Sequence, residues 1–429
     1  MVETKKIERD IVVIGGGTAG SAAAVAAARR GHSVLLVEEG NCLGGVSSGG
    51  NVAQWYAGLD GMGDIFSSII RIMDNFGART NVSYNPYSPE YLKIAWQLLA
   101  QDAGVEILFH TTLQDVITRG KIIKGVRLVS CSQTIDVSAK FFIDASGEGD
   151  LGFLAGAQFM QGDPLKGRTL HMTLVFFLCD TGKPVKVYLP PGLEPINSEQ
   201  ELPGLHCHVK WIDNRIYCNM TKVVDHDPTD PFSLTDAECE ARRQMIRIVH
   251  FLQRKYYPTY MICSSGSKIG IREGRRIIGD YILKKQDILG EEPFDCPDGI
   301  CVATSQIDFH SLTKPGHRGW RQRVIPYAIP FRCIIAKDFN NLLMAGKCIS
   351  VDQVVHSSCR MTPTCCGMGQ SAGTAVSMAI EDHVKNIRDI SIEKLRQQLR
   401  TDGMELDPRK HKGYCGEESD VDEEEKGFQ

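Results

Sequence analysis

The chain has 429 residues, enough for two or three domains of about 150 residues each, and its 42% hydrophobic and 23% charged residues are the make-up of an ordinary soluble globular protein. A formal net charge of −4 gives no basis for a nucleic-acid or membrane-surface partner, and no apolar run approaches the roughly 20 residues that cross a bilayer. The 15 cysteines are odd in number, scattered and without a C-x-x-C pair, which argues against a disulfide framework or a zinc ribbon. Reduced thiols serving as small apolar side chains are expected. The first ten residues, MVETKKIERD, carry charges but no apolar core behind them, so no signal peptide is expected and the expected location is the cytoplasm.

Residues 10–39 read DIVVIGGGTAGSAAAVAAARRGHSVLLVEE. Ile11 to Ile14 form a short apolar run suited to a strand buried on both faces. Gly15-x-Gly17-x-x-Gly20 then opens an alanine-rich helix from Ser21 to Arg30. Gly31 stops it, and a second strand from Ser33 to Val37 ends on Glu38. In such a unit Gly15 permits the tight turn, Gly17 lets the backbone approach a pyrophosphate, and Gly20 lets the helix lie close on the sheet. The helix N-terminus offers free N–H groups to phosphates, with Thr18 and Ala19 in the turn before it as further expected cofactor contacts. Glu38 is placed to accept hydrogen bonds from ribose hydroxyls. The unit predicts a dinucleotide; the acid argues against NADP but does not separate NAD from FAD.

Further along, a helix is predicted from about Pro89 to Ala103 and a strand from Glu106 to His110. Residues 141–150, FFIDASGEGD, read as a strand running into a small-residue turn. Between this and the late strand Leu342 to Ala345 lie strand-like pieces, Thr173 to Leu178 and Ile216 to Val224, and a helix from Thr235 to Arg254. His206-Cys207-His208 is the densest metal-ligating run, but in a strand Cys207 points away from both histidines, so no metal is expected. Residues 270–281, GIREGRRIIGDY, hold three arginines in five positions that need anions to balance them. In a helix, Arg272 and Arg276 would fall one turn apart. Asp308-Phe309-His310 and His317 read as loop, with His310 a candidate substrate contact.

Residues 355–373 read VHSSCRMTPTCCGMGQSAG. Thr362 suits an N-cap and Pro363 the first helical position. The helix is predicted to run to about Asp382, and its free N–H groups make an anion site. The adjacent Cys365 and Cys366 are awkward for a disulfide. A helix N-terminus can lower a thiol pKa, although small residues beside a cofactor explain them as well. The run from Cys415 to Glu425 reads as a solvated acidic tail. No second dinucleotide fingerprint is present, which points to electrons passing through a substrate, oxygen or a partner protein.

Taken in order, the glycine turn, Asn41 to Gly50 (NCLGGVSSGG), Phe141 to Asp150, and Asn341 to Ser350 (NLLMAGKCIS) resemble the FAD-dependent oxidoreductase family, over most of residues 8–382. Its flavin domain is shared in outline with the fumarate reductase and succinate dehydrogenase flavoproteins. The resemblance implies an α/β fold: a Rossmann-like FAD-binding domain built from both chain ends (1–164 and 335–384), an inserted α+β substrate domain (165–334), and a helical extension with the acidic tail (385–429). It implies FAD as cofactor, with Gly44, Gly45, Leu113, Ala145, Ser146, Gly147, Asp150, Gly346, Thr364 and Cys365 joining the first unit around it.

His356 to Arg360 resembles the H-x-x-x-R segment of fumarate reductase flavoproteins. This implies Arg360 orienting an anionic substrate and His356 exchanging a proton, with Arg272 and Arg275 as further substrate contacts. The expected activity is hydride transfer between flavin N5 and a small polar or anionic organic molecule, in metabolism or biosynthesis. The alternatives are an oxygen-using oxidase or monooxygenase, and an electron-transfer subunit of a larger complex. A small-molecule substrate is the expected partner, with no nucleic acid and no membrane; a homo-oligomer and an electron-donor or acceptor protein stay open.

Overall fold

The computed structural model describes residues 4–82, 84–204, 207–312 and 319–413. The main sheet takes up, in chain order, β1 (Lys5–Ile14), β2 (Val34–Val37), β3 (Glu106–Leu108), β4 (Thr112–Arg119), β5 (Ile122–Ser130) and β6 (Gln133–Asp144), laid out as β3-β2-β1-β6-β5-β4. Ile11 to Ile14 run parallel to β2 on one side and β6 on the other and are buried. That is why the run is apolar without alternation: both faces of a parallel strand are covered. The helices of this half are α1 (Thr18–Arg29), α2 (Asp64–Asn75), α3 (Pro89–Asp102) and α4 (Asp150–Ala155).

The middle of the chain adds β7 (Phe159–Gln161), β8 (Phe176–Asp180), β9 (His208–Lys210), β10 (Ile216–Cys218), α5 (Pro231–Lys255), β11 (Tyr260–Ser265), β12 (Arg275–Ile277) and α6 (Lys285–Ile288). Then come β13 (Gly299–Ala303), β14 (Ile307–Phe309), β15 (Trp320–Gln322) and β16 (Tyr327–Pro330). A four-stranded antiparallel sheet, β11-β8-β10-β9, packs Phe176, Leu178 and Ile216 against Ile248, Phe251 and Leu252 of α5. This is a core separate from that of the main sheet. By contrast Ile300, Tyr327, Ile329 and Phe331 belong to the main core, so β13 and β16 are packed into the dinucleotide half rather than standing apart from it.

The chain then returns as β17 (Leu342–Met344), α7 (Gln353–Cys359), α8 (Thr362–Glu381) and α9 (Ile392–Thr401). β17 pairs parallel with the last three residues of β6, Phe142 to Asp144, while β5 lies against the first part of β6. One long strand therefore joins the two ends of the polypeptide. The ends meet again where α8 crosses α1: a Cβ on Gly369 or Gly373 would lie 2.0 or 2.2 Å from the carbonyl oxygens of Ala19 and Ala23. Only a glycine-on-alanine face lets two helix backbones come so near.

Several boundaries differ from expectation. α8 starts at Thr362 itself, with Met361 as N-cap, so Pro363 stands at the second helical position. α5 begins at Pro231, four residues early, because the Asp230 carboxylate caps it through the Ser233 N–H at 2.7 Å. The strands expected over 106–110, 173–178, 216–224 and 342–345 are observed at Glu106–Leu108, Phe176–Asp180, Ile216–Cys218 and Leu342–Met344. Residues 270–281 form no helix; β12 pairs there with β7, which removes the helical spacing of Arg272 and Arg276. Asp308 lies within β14 rather than in a loop. His206, His317 and the acidic run 415–425 lie outside the described residues, and His208 places Nδ1 2.6 Å from the Tyr257 hydroxyl.

Candidate active site

One cavity of about 510 Å³ runs along the carboxyl ends of β1, β2 and β6 to the start of α8. Its position follows from the topology, since ligands of open α/β sheets settle outside the strand ends. At its floor, Gly15 adopts φ +97°, and a Cβ there would lie 2.3 Å from the Ala145 carbonyl oxygen. The turn therefore needs glycine. Gly17, next to the first turn of α1, has nothing within 4 Å of where its Cβ would be, so its backbone faces open space. Thr18, Ala19, Gly44 and Gly45 line the same stretch, and Gly20 sits below it, its Cβ position only 1.8 Å from the Gly15 carbonyl oxygen.

Glu38 lines the cavity beyond the turn and is held in place by two backbone donors, Gly16 N–H and Gly40 N–H, each at 2.7 Å. Leu113, Ala145, Ser146, Gly147, Asp150 and Gly346 are also on the wall. Burial, with Glu148 and Asp144 close by, raises the Asp150 carboxyl to about 6 against the pull of Arg275, 2.9 Å away. At the far end stand Thr362, Cys365 and Arg360. Thr364, His356 and Arg272 are not on this wall: Thr364 and His356 are wholly buried behind it. Burial pushes the Cys365 thiol up to about 12 against the nearby Arg360, and its Sγ lies 3.2 Å from the Arg360 carbonyl oxygen. Desolvation thus outweighs the pull of Arg360 and Lys347, the opposite of an activated thiol.

Sequence reasoning did not reveal three wall features. Lys347 pairs with Glu148 and donates to the Ile271 carbonyl oxygen at 2.9 Å, tying the late AGKC turn to the middle of the chain. Lys268 pairs with Glu39 at 2.7 Å. Arg275 lies 4.0 Å over the Phe153 ring as well as against Asp150. All three join residues far apart in sequence, so no local pattern announces them.

Behind Arg360 lies a buried polar cluster. Asp308 accepts from Arg360 Nη2 at 3.2 Å and Arg321 Nε at 3.0 Å, and its Oδ2 is 2.9 Å from His310 Nε2. The His171 and His310 rings meet edge to face, 4.5 Å apart. Arg272 donates through Nη1 to the His171 carbonyl oxygen at 3.1 Å and to Thr173 Oγ1 at 2.6 Å. Burial lowers His310 to about 3 despite Asp308, and burial with Arg272 nearby keeps His171 well below the usual imidazole range. Burial alone would raise Asp308; with His310 neutral at pH 7, Arg321 and Arg360 are the charges that keep it ionised.

The residues present fit a dinucleotide. An unobstructed glycine at a helix N-terminus suits a pyrophosphate, a fixed carboxylate after β2 suits ribose hydroxyls, and a second helix N-terminus closes the far end of the same cavity. A Rossmann-like sheet with this pair of helix ends defines a dinucleotide-binding protein. The chain belongs to the FAD dependent oxidoreductase family, which it matches over residues 10–399. It is an enzyme, and its cofactor is FAD.

Similar solved structures include a geranylgeranyl bacteriochlorophyll reductase-like protein from Thermoplasma acidophilum, at 13% identity over 94% of this chain and 93% of that one, with a TM-score of 0.46. Another is the myxobacterial chondrochloren halogenase CndH, at 14% identity over 91% of this chain and 78% of that one, with a TM-score of 0.49. Among curated proteins none matches the sequence. No helix among the described residues is long and apolar enough to cross a membrane.

Proposed function

We propose that the enzyme acts on a small polar or anionic organic substrate held at Arg360, where bound FAD supplies hydride transfer through N5. The observation that carries the reading is Arg360 itself. It lines the cavity at the α7–α8 corner, and its buried Nε–H has no hydrogen-bond partner. An unpartnered buried donor costs about 1–3 kcal/mol, so this reading completes the site with an acceptor that the described residues do not supply.

The remaining residues hold and orient. The first turn of α1 and Gly17 would receive the phosphates, Glu38 the ribose, and the first turn of α8 the ring end of the cofactor. Asp308 holds the Arg360 guanidinium through Nη2, leaving its other edge free. His356 is wholly buried, and its carbonyl oxygen accepts the Arg360 backbone N–H at 3.2 Å, so it shapes the turn that presents the arginine. Its role in this reading is positioning, not proton exchange with the cavity.

The test is an anaerobic screen of organic acids and other polar metabolites for bleaching of the bound flavin, run beside Arg360→Lys. A true substrate should bleach the variant tenfold to a hundredfold more slowly, on the order of the 1.5–3 kcal/mol that a charged hydrogen bond contributes. An identical rate in both proteins would remove Arg360 from the substrate site.

A further inference from the structure

Arg272 is the unbalanced arginine of the 270–281 segment. Arg275 pairs with Asp150 at 2.9 Å, and Arg276 pairs with the buried Glu273. Among the described residues no carboxylate lies within ion-pair distance of Arg272. Both of its hydrogen bonds are made by Nη1, so Nε and Nη2 are unused. Arg360 is in the same condition: its side-chain hydrogen bonds are made by Nη2 alone, and Nε is buried and unpartnered. Arg360 is near enough to weaken the hold of Arg272 on its proton.

The charge of the cluster does not balance. Among the described residues Arg321 and Arg360 share one carboxylate, Asp308, Arg272 has none, and both imidazoles are neutral; Glu273 also acts on Arg360 but is already paired with Arg276, so positive charge is in excess. A buried charge without a partner costs several kcal/mol. His171 adds a further vacancy, because its buried Nδ1 has no partner. These groups come from both halves of the molecule: Arg272, His171, Asp308 and Arg321 from the middle of the chain, Arg360 from the corner beside α8.

We propose that this cluster recognises a carboxylate group of the substrate, gripped between the unused edges of Arg272 and Arg360, with His171 as a third donor when Nδ1 carries the imidazole proton. The assignment rests on the reading of the adjoining cavity as the FAD site, and adds to it the chemical class of the substrate and the residue that selects it. Two guanidinium edges supply paired N–H donors in the fixed fork that suits the two oxygens of a carboxylate.

The test follows thermal unfolding of the FAD-loaded protein in titrations with acetate, pyruvate and malonate. Sodium chloride and inorganic phosphate serve as comparisons at equal ionic strength. The carboxylates should raise the unfolding temperature saturably. Arg272→Met should weaken their apparent Kd at least tenfold, yet unfold at or near the wild-type temperature without ligand, because the arginine removed is half-buried and has no carboxylate partner among the described residues. An Arg272→Met protein that unfolds well below wild type and binds carboxylates unchanged would show a structural role and overturn the proposal. Should that variant fail to fold, Arg272→Lys decides: it keeps the charge without the fork, and an unchanged Kd would again overturn it. Phosphate binding as tightly, with the same dependence on Arg272, would overturn the carboxylate assignment. Flavin absorbance on the same samples separates the two readings. Colourless wild-type protein defeats the cofactor reading, whereas coloured protein indifferent to every carboxylate defeats this one alone.

Discussion

Gly17 is where a single atom matters most to the cofactor. Nothing obstructs a side chain at this position except what the cavity is built to hold. Gly17→Glu should therefore fold, with unchanged far-ultraviolet circular dichroism, and purify without the yellow flavin band; full retention of colour would contradict the phosphate-turn assignment. This residue was legible in the sequence because a backbone requirement dictates residue type. Gly15, Gly17 and Glu38 each answer a local geometric demand at fixed spacing. Arg272 was legible only as a charge that needed balancing. Where it points depends on β12 pairing with β7, a contact between residues more than a hundred apart, and the partners it reaches, the His171 carbonyl and the Thr173 hydroxyl, lie in segments whose pattern names no chemistry.

At the scale of elements, the crossing of α1 and α8 holds both walls of the cofactor cavity in register. The Cβ positions of Gly369 and Gly373 fall on backbone oxygens rather than on flexible side-chain ends, so the helices must separate to admit a methyl group. Gly373→Ala should destabilise the fold by about 1–3 kcal/mol, the usual range for an overpacked core, measured by urea unfolding. It should also loosen FAD, whose two contact helices move apart. An unchanged unfolding midpoint would show that the crossing can relax elsewhere. The helices themselves were readable because alanine runs and caps are local signals. Their starts were not, as Asp230 and Met361 show: a cap is chosen by which carboxylate or backbone happens to reach the first turn.

Across the whole molecule, three buried imidazoles, His171, His310 and His356, are held neutral by desolvation. Their folded pKa values lie below the unfolded value near 6.5, so the stability they contribute is present above pH 6.5 and is lost as pH falls, when the unfolded chain takes up protons that the folded one refuses. By pH 5.5 each should have removed on the order of 1.4 kcal/mol. Urea unfolding of the FAD-loaded protein at pH 7.5 and 5.5 should show this drop, and His356→Gln should remove roughly one third of it. A stability that stays level over that range would mean that the histidines are charged in the folded state. The two-ended plan was foreseeable from motifs at both ends of the chain. That β13 and β16 join the main core was not, because a strand's own sequence does not say which sheet or helix it will cover.

The late arrival of β17 beside β6 has a consequence for synthesis. A ribosome delivers the phosphate turn at Gly15 to Gly20 well before the opposing wall at Thr362 to Cys365. Until then the nascent polypeptide carries an exposed strand end at Phe142–Asp144 and half a pocket, which other edges could capture. Colour can therefore come only once the start of α8 has been translated, and a nonsense codon anywhere upstream of Thr362 should leave a product that cannot enclose its prosthetic group.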